Sequence, residues 1–283
     1  MNEIHILNLG AGVQSTALYL MDLKGELDSP RFDYAIFADT QEEPDDVYRH
    51  LAWLESLGGA PVLKGTSGKL GNDLIANTTG QRFAAIPAFT SAIEGLPGGL
   101  TRRQCTKEYK VDVVGKIIRR QLLGLIPRQR IPKDVHVHQY FGLSFDEPKR
   151  VARVSAQFDM IPWATAHFPL WDDQISRHGC KEYLLDSAIP HDVPRSACVF
   201  CPFKTNAEWR RLRDTDRKGW ARAVEVDEGL RAPGAVCNRG LNQRLYVHRS
   251  CVPLRSAPID TPESRGEQYQ FGFAQECEGM CGL

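Results

Sequence analysis

The chain has no excess charge of either sign. Its 283 residues carry 35 basic and 35 acidic side chains, so no global field draws it toward nucleic acid, and any such contact has to come from a local patch. It also lacks a long apolar run at its start. Glu3 and one short apolar stretch precede Gly10, which fits neither a signal peptide nor a membrane span. A cytoplasmic location follows as the default expectation, with no membrane partner. There is no internal repeat and no low-complexity tract. The length suffices for one larger α/β domain with an appended region, or for two smaller domains. The eight cysteines include only one CxxC, and the only comparable second pair for a zinc ribbon is Cys277 and Cys281, with three residues between them, so a four-cysteine zinc site remains open. In a reducing compartment these thiols are expected to be metal-bound or reactive rather than disulfide-paired.

What is present begins with Ile4 to Leu9, an apolar strand that runs into Gly10, Ala11, Gly12, Val13, Gln14, Ser15 and Thr16. A strand that breaks at glycines and restarts as a helix aims backbone N–H groups and a helix N-terminus at one point, a geometry suited to phosphate. The same pattern also fits a plain strand-to-helix turn. It is neither a Walker loop, since no lysine follows the second glycine, nor GxGxxG, since Ser15 stands at the third glycine position. Phe32 to Ala38 reads as a second buried strand ending in Asp39, Thr40, Gln41, Glu42 and Glu43. An amphipathic helix with Val47, Leu51 and Leu54 on one face follows. Parallel strands joined by helices put both loops on one edge of a sheet, where a nucleotide could span them.

Farther on, Pro61 to Lys64 predicts a short third strand, and Gly65 to Gly99 loop and short helix. The residues from Asp112 to Leu123 have helical spacing. Val135 to Phe141 alternates as a strand, with His136 and His138 on one face as metal ligands or as part of a polar face. A helix capped near Asp172 or Asp173 is expected to bury Cys180. Cys198 and Cys201 have the spacing for two thiolates to converge on one metal, with Pro202 stiffening the loop exit. Zinc and a redox dithiol both remain open for them, and Cys237 and Cys251 read as packed thiols. Arg210, Arg211, Arg213, Arg217, Lys218 and Arg222 follow Trp209 on a helix begun near Asn206. Arg119, Arg120, Arg128, Arg130 and Lys133 form a second basic group. Each suits a phosphate backbone or an ordinary solvated face.

These segments together resemble the PP-loop, or adenine nucleotide alpha hydrolase-like, superfamily, in its phosphoadenosine phosphosulfate reductase-like branch. The resemblance rests on Gly10 to Thr16, Ala38-Asp39-Thr40, Arg102 to Lys110, Gly142 to Glu147 with Arg150 and Arg153, Ser196 to Phe203, and Glu276-Cys277. Departures are Gly10, Ala11 and Gln14 in the loop, where the family keeps serine, glycine and an acid, and a solitary Cys105 where the reductases generally carry adjacent cysteines. The implied fold is α/β, a doubly wound, mainly parallel sheet over residues 1–195, with a C-terminal cysteine-containing helical and loop region over 196–283.

The resemblance further implies an ATP-dependent, iron–sulfur-dependent sulfur transfer through an adenylated intermediate. Gly10, Ala11, Gly12, Gln14, Ser15, Thr16, Asp39, Thr40, Gly142 and Arg150 would bind the nucleotide, ATP or an adenylyl sulfate, with Mg2+. Cys105, Cys198 and Cys201 would hold a [4Fe-4S] cluster, with Cys277, Cys251, Cys281 or no residue as fourth ligand; Zn2+ is the alternative. Cys277, Cys281, Arg103 and Lys110 would be catalytic. Partners on this reading are a tRNA or DNA substrate, a sulfur donor or thiol carrier protein, and a second copy of the chain. Two other functions remain: a sulfonucleotide reductase with Cys277 as nucleophile, and a noncatalytic nucleotide- or metal-binding subunit of a larger assembly.

Overall fold

The computed structural model describes residues 2–75, 86–232 and 243–261. Cys237, Cys277 and Cys281, with the Glu276-Cys277 motif, lie outside the described residues. No helix among the described residues is long and apolar enough to cross a membrane.

The first strand, β1 (Asn2–Asn8), lies at the centre of a sheet and is paired in parallel on both sides. On one side are β2 (Tyr34–Asp39) and then β3 (Val62–Thr66); on the other are β6 (Val135–Phe141) and then β7 (Ala164–His167). All pairings in this five-stranded sheet are parallel. Alternation along β1 sends Ile6 and Leu7 to opposite faces, and each is fully buried. Leu7 packs with α1 (Val13–Lys24), α2 (Asp45–Ser56) and α7 (Arg177–Asp186) through Leu18, Leu51 and Leu184. Ile6 packs with α5 (Pro148–Phe158) and with a helical run through Val154, Val113 and Ile117. Helices thus cover both faces, the doubly wound arrangement of an α/β sheet.

The chain winds from β1 outward to β3 and returns to the other side of β1 at β6, so the winding reverses between β1 and β6. Loops leaving these two strands at their carboxyl ends diverge and open a crevice there. The helical run that follows is not uniformly α-helical. It is π-wound over Lys107–Val111, α-helical over α4 (Asp112–Lys116), and π-wound again over Ile117–Leu122.

A second core draws on both sides of residue 195. Leu70 and Leu74 of α3 (Leu70–Ile75) and Tyr109 pack with Trp209 of α8 (Asn206–Thr215), Val226 of α9 (Arg217–Gly229), Leu245 and Val247. A small antiparallel sheet joins the same parts, with β4 (Phe89–Ser91) between β5 (Gly99–Leu100) and β8 (Arg244–Tyr246). Asp227, fully buried, organises this layer: it pairs with Arg231 and accepts from the N–H groups of Val247 and Leu254.

One expectation about a helix start is corrected. Phe168 to Trp171 leads into a single turn, α6 (Pro169–Asp172), and the helix carrying Cys180 starts later, where Ser176 Oγ accepts from the Gly179 N–H at 3.1 Å. Serine competes well with aspartate as a cap, and Asp173 instead closes the preceding turn through its N–H to the Pro169 carbonyl. Cys180 is buried as expected.

Glu42 connects the two cores. Its buried carboxylate accepts from Arg222 of α9 at 2.7 Å and from the Gly71 N–H of α3 at 3.0 Å, while its carbonyl accepts from the Val199 N–H at 2.7 Å. A Cβ at Gly71 would overlap both the carboxylate and the guanidinium. Removing one partner of such a pair leaves the other charge buried, so Glu42→Ala is expected to cost about 3 kcal/mol or more in chemical denaturation. Gly71→Ala should weaken the same contact without removing a charge.

Two buried histidines make stability acid-sensitive. His50 shares a hydrogen bond with Thr16 Oγ1 at 2.8 Å, and His248 with Asn206 Oδ1 at 3.0 Å. Burial pushes each imidazole down to about 4, with His191 and Arg249 adding to the effect. Because the folded values lie below the ordinary value of 6.5, the unfolded chain binds protons first. Their contribution is intact above pH 6.5 and lost as pH falls toward 4. Melting temperature is therefore expected to drop across that window, and less steeply in His50→Gln.

Candidate functional site

The loop from Gly10 to Thr16 follows β1 at the point of reversal and is buried throughout. The N–H groups of Gly10 and Gly12 donate to Ser15 Oγ at 3.2 and 3.3 Å. The serine therefore holds the loop closed from within. Val13 and Gln14 open α1, where N–H groups have no intrahelical acceptor. Ala11 sits at φ 57°, the left-handed region where a β-carbon is strained, and its side chain is fully buried. Thr16 is committed to His50.

Gln14 reaches across to the loop after β6. Its Nε2 donates to Ser144 Oγ at 2.8 Å and to Glu147 Oε2 at 2.5 Å. Glu147 also pairs with Arg150, and both are buried. A carboxylate therefore lies against the loop residue that lacks one, brought from the other side of the reversal. Gly142 lies in the same connection, directly after β6, and is buried. Arg153, one turn on, is exposed on α5.

At the end of β2, Asp39 Oδ1 accepts from the Gln41 N–H at 2.7 Å and from Tyr48 Oη at 2.9 Å. Burial and the Asp39 carboxylate both push the Tyr48 hydroxyl up. Thr40 donates to Glu43 Oε1 at 3.2 Å, and the same oxygen lies 3.7 Å from Lys110 Nζ. Burial raises the Glu43 carboxyl despite Lys110 and Lys204 nearby. Three buried acceptors on this edge have no donor among the described residues: Asn8 Oδ1, Gln14 Oε1 and Glu43 Oε2.

Beside them Cys105, Cys198 and Cys201 line one cavity together with Thr40, Glu43, Arg103 and Lys110. Cys105 stands just before the first π-wound turn, which carries Lys110, and such turns often occur where a helix is bent to a site. The CxxC loop is fixed by the Cys201 N–H to the Cys198 carbonyl at 3.0 Å and by the Val199 contact to Glu42. The two thiols share a hydrogen bond that, with the charges of Arg195, Lys204 and Arg103, holds the Cys201 thiol low against burial, while the same bond and burial push the Cys198 thiol up. Arg103 also lies over the Phe203 ring, 5.3 Å from its centroid. Cys251 lies outside the cavity, buried, with its thiol against the Thr90 carbonyl.

Lys110 joins the two regions. It also lines a small cavity with Asn8, Leu9 and Gly10 at the end of β1. Arg195 and Lys204, the counter-charges of Cys201, escaped notice in the sequence, although each lies three residues from a cysteine of the pair. The basic stretch after Trp209 forms two helices rather than one, α8 and α9 with a break at Asp216, and is largely paired: Arg211 with Asp46, Arg213 with Asp214 and Asp260, and Arg222 with Glu42 and Glu225. Arg119, Arg128, Arg130 and Lys133 instead line a pocket with Trp163 at the opposite, amino edge of the sheet.

Strain at Ala11 is directly testable. Ala11→Gly is expected to lie within about 1 kcal/mol of the parent, because relief of strain offsets the added freedom of the unfolded chain. Ala11→Val should lose about 2 kcal/mol or more. Denaturation midpoints separate the two. No family model matches this chain, and neither the curated proteins nor the solved structures contain a match to it.

Proposed function

We propose that the chain is a PP-loop-type enzyme that uses ATP to activate a substrate oxygen and then replaces that oxygen with sulfur at a cysteine-held centre. The observation that carries this reading is Lys110, whose side chain lines both the cavity at the end of β1 and the cavity of Cys105, Cys198 and Cys201. A nucleotide crevice and a thiol centre that share a cation suit two successive steps on one substrate. In the first, the substrate oxygen attacks the α-phosphorus of ATP and pyrophosphate leaves. In the second, sulfur adds at the activated carbon and AMP leaves with the oxygen.

The donor set fits the implied groups. Three thiols, one held low by its hydrogen bond with Cys198 and by surrounding cations, suit a soft thiolate-bound metal or an iron–sulfur cluster. A [4Fe-4S] cluster held by Cys105, Cys198 and Cys201 would supply the sulfur-carrying iron position. The unpartnered oxygens of Asn8, Gln14 and Glu43 suit an adenine amine or a Mg2+ ion, both of which need acceptors. Lys110, Arg103 and the first-turn N–H groups of α1 would stabilise charge developing on the phosphates.

Anaerobic purification followed by iron, sulfide and zinc analysis tests the centre, and release of AMP and pyrophosphate from ATP tests the nucleotide step. Cys201→Ser should lose the iron. Lys110→Met should keep the iron and slow pyrophosphate release by about 100-fold, the scale of one stabilising contact. Colourless protein with stoichiometric zinc would remove the cluster. Failure to split ATP with any tRNA, DNA or small acceptor offered would overturn the activation step, and sulfite formation from adenylyl sulfate would select the reductase reading.

A further inference from the structure

The amino-terminal half of the sheet carries a histidine cluster unrelated to the crevice. Parallel register sets Glu3 level with His136 and His5 level with His138, while the next pairing sets Tyr140 level with His167. All six side chains project from one face. The His5 and His138 rings stack at 4.6 Å between centroids, and His136 meets His138 edge-on at 4.9 Å. His5 and His138 are half-buried and Glu3 is exposed.

We infer that Glu3, His5 and His138 form a binding site for one divalent transition-metal ion such as zinc, cobalt or nickel. One ligand atom from each of the three lies within 4.8 Å of the other two. Around a tetrahedral ion with bonds of about 2.1 Å the ligands stand about 3.4 Å apart, a closure that the exposed Glu3 side chain can make by rotation.

The hydrogen bonds favour ligation over a merely polar strand face. His138 Nδ1 is engaged with His167 Nε2 at 2.8 Å, and His5 Nδ1 with Tyr140 Oη at 2.9 Å. With the proton on Nδ1, each ring would donate to these partners, the arrangement that orients a metal-binding imidazole and leaves its Nε2 lone pair for the ion. His138 Nε2 is buried and has no hydrogen-bond partner among the described residues, which costs free energy unless something binds it. Two imidazoles and a carboxylate form a donor set of borderline softness, which disfavours magnesium and calcium.

The site is independent of the proposed function. His5 lies about 15 Å before Gly10 along the strand, and no cysteine takes part. The test is Co2+ titration of the untagged full-length chain carrying Cys198→Ser and Cys201→Ser, so that thiolates do not compete. One equivalent should bind with visible d–d bands and no thiolate charge-transfer band. His5→Gln and His138→Gln should each weaken binding tenfold or more, and Tyr140→Phe should weaken it by about tenfold through the imidazole it orients. If a histidine variant fails to fold, Glu3→Gln at the exposed edge carries the comparison. Absence of cobalt binding, or affinity unchanged in all these variants, would overturn the site while leaving the cysteine centre untouched.

Discussion

The Glu42–Arg222 ion pair is the contact on which the arrangement of the candidate site depends. It joins the loop after β2 to α9, and the peptide carbonyl of the same residue holds Val199 inside the CxxC loop. Side chain and backbone of one residue therefore set the cysteines at the carboxyl edge of the sheet. A buried ion pair contributes little net stability when compared with packed apolar groups, and its usual value is to select one arrangement among several. Here the arrangement selected is the approach of a thiol-bearing segment to a crevice whose first strand, β1, lies more than a hundred residues away.

Electrostatics divides that edge into two parts. Around Cys201 the hydrogen bond with Cys198, joined by the cations Arg195, Lys204 and Arg103, holds the thiol low against the cost of burial. A short way off, Glu43 is pushed toward its neutral form by the same burial, because Lys110 and Lys204 compensate only in part. One apolar enclosure thus holds a stabilised anion beside a carboxyl that resists ionising, and Lys110 stands between them. Perturbed groups gathered in one cleft are a general mark of functional sites.

Much of the parallel sheet was legible in the sequence, since each signal was local. Val135 to Phe141 alternates and forms β6 over those residues; Ile4 to Leu9 and Phe32 to Ala38 are apolar runs ended by turn residues, and they form β1 and β2 with shifts of one or two residues at the ends. The winding of Lys107–Leu122 was not legible, because π-turns carry the same apolar spacing as an α-helix to within one residue. The site was legible only as a set of segments. That Cys105 meets Cys198 and Cys201 followed from a resemblance in motif order, whereas Arg195 and Lys204 gained meaning only once the thiols were placed. His136 and His138 could be assigned to one face from alternation alone. Their neighbours Glu3 and His5 depend on the register between β1 and β6, and no local pattern encodes a register across more than 130 residues.

The small sheet of β5, β4 and β8 has a consequence for the order of folding. Phe89 pairs with Tyr246, and Glu42 meets Arg222 across 180 residues. Contacts of such separation form late, since the loop entropy is lost before the contact repays it. During synthesis β1 to β7 can pair while the ribosome still holds the chain beyond α7. The thiols of Cys105, Cys198 and Cys201 all emerge before α9, but the Arg222 that holds Glu42, and with it the anchor of the CxxC loop, comes later. Until α9 has emerged, the three thiols are present while the contact that fixes their approach is missing.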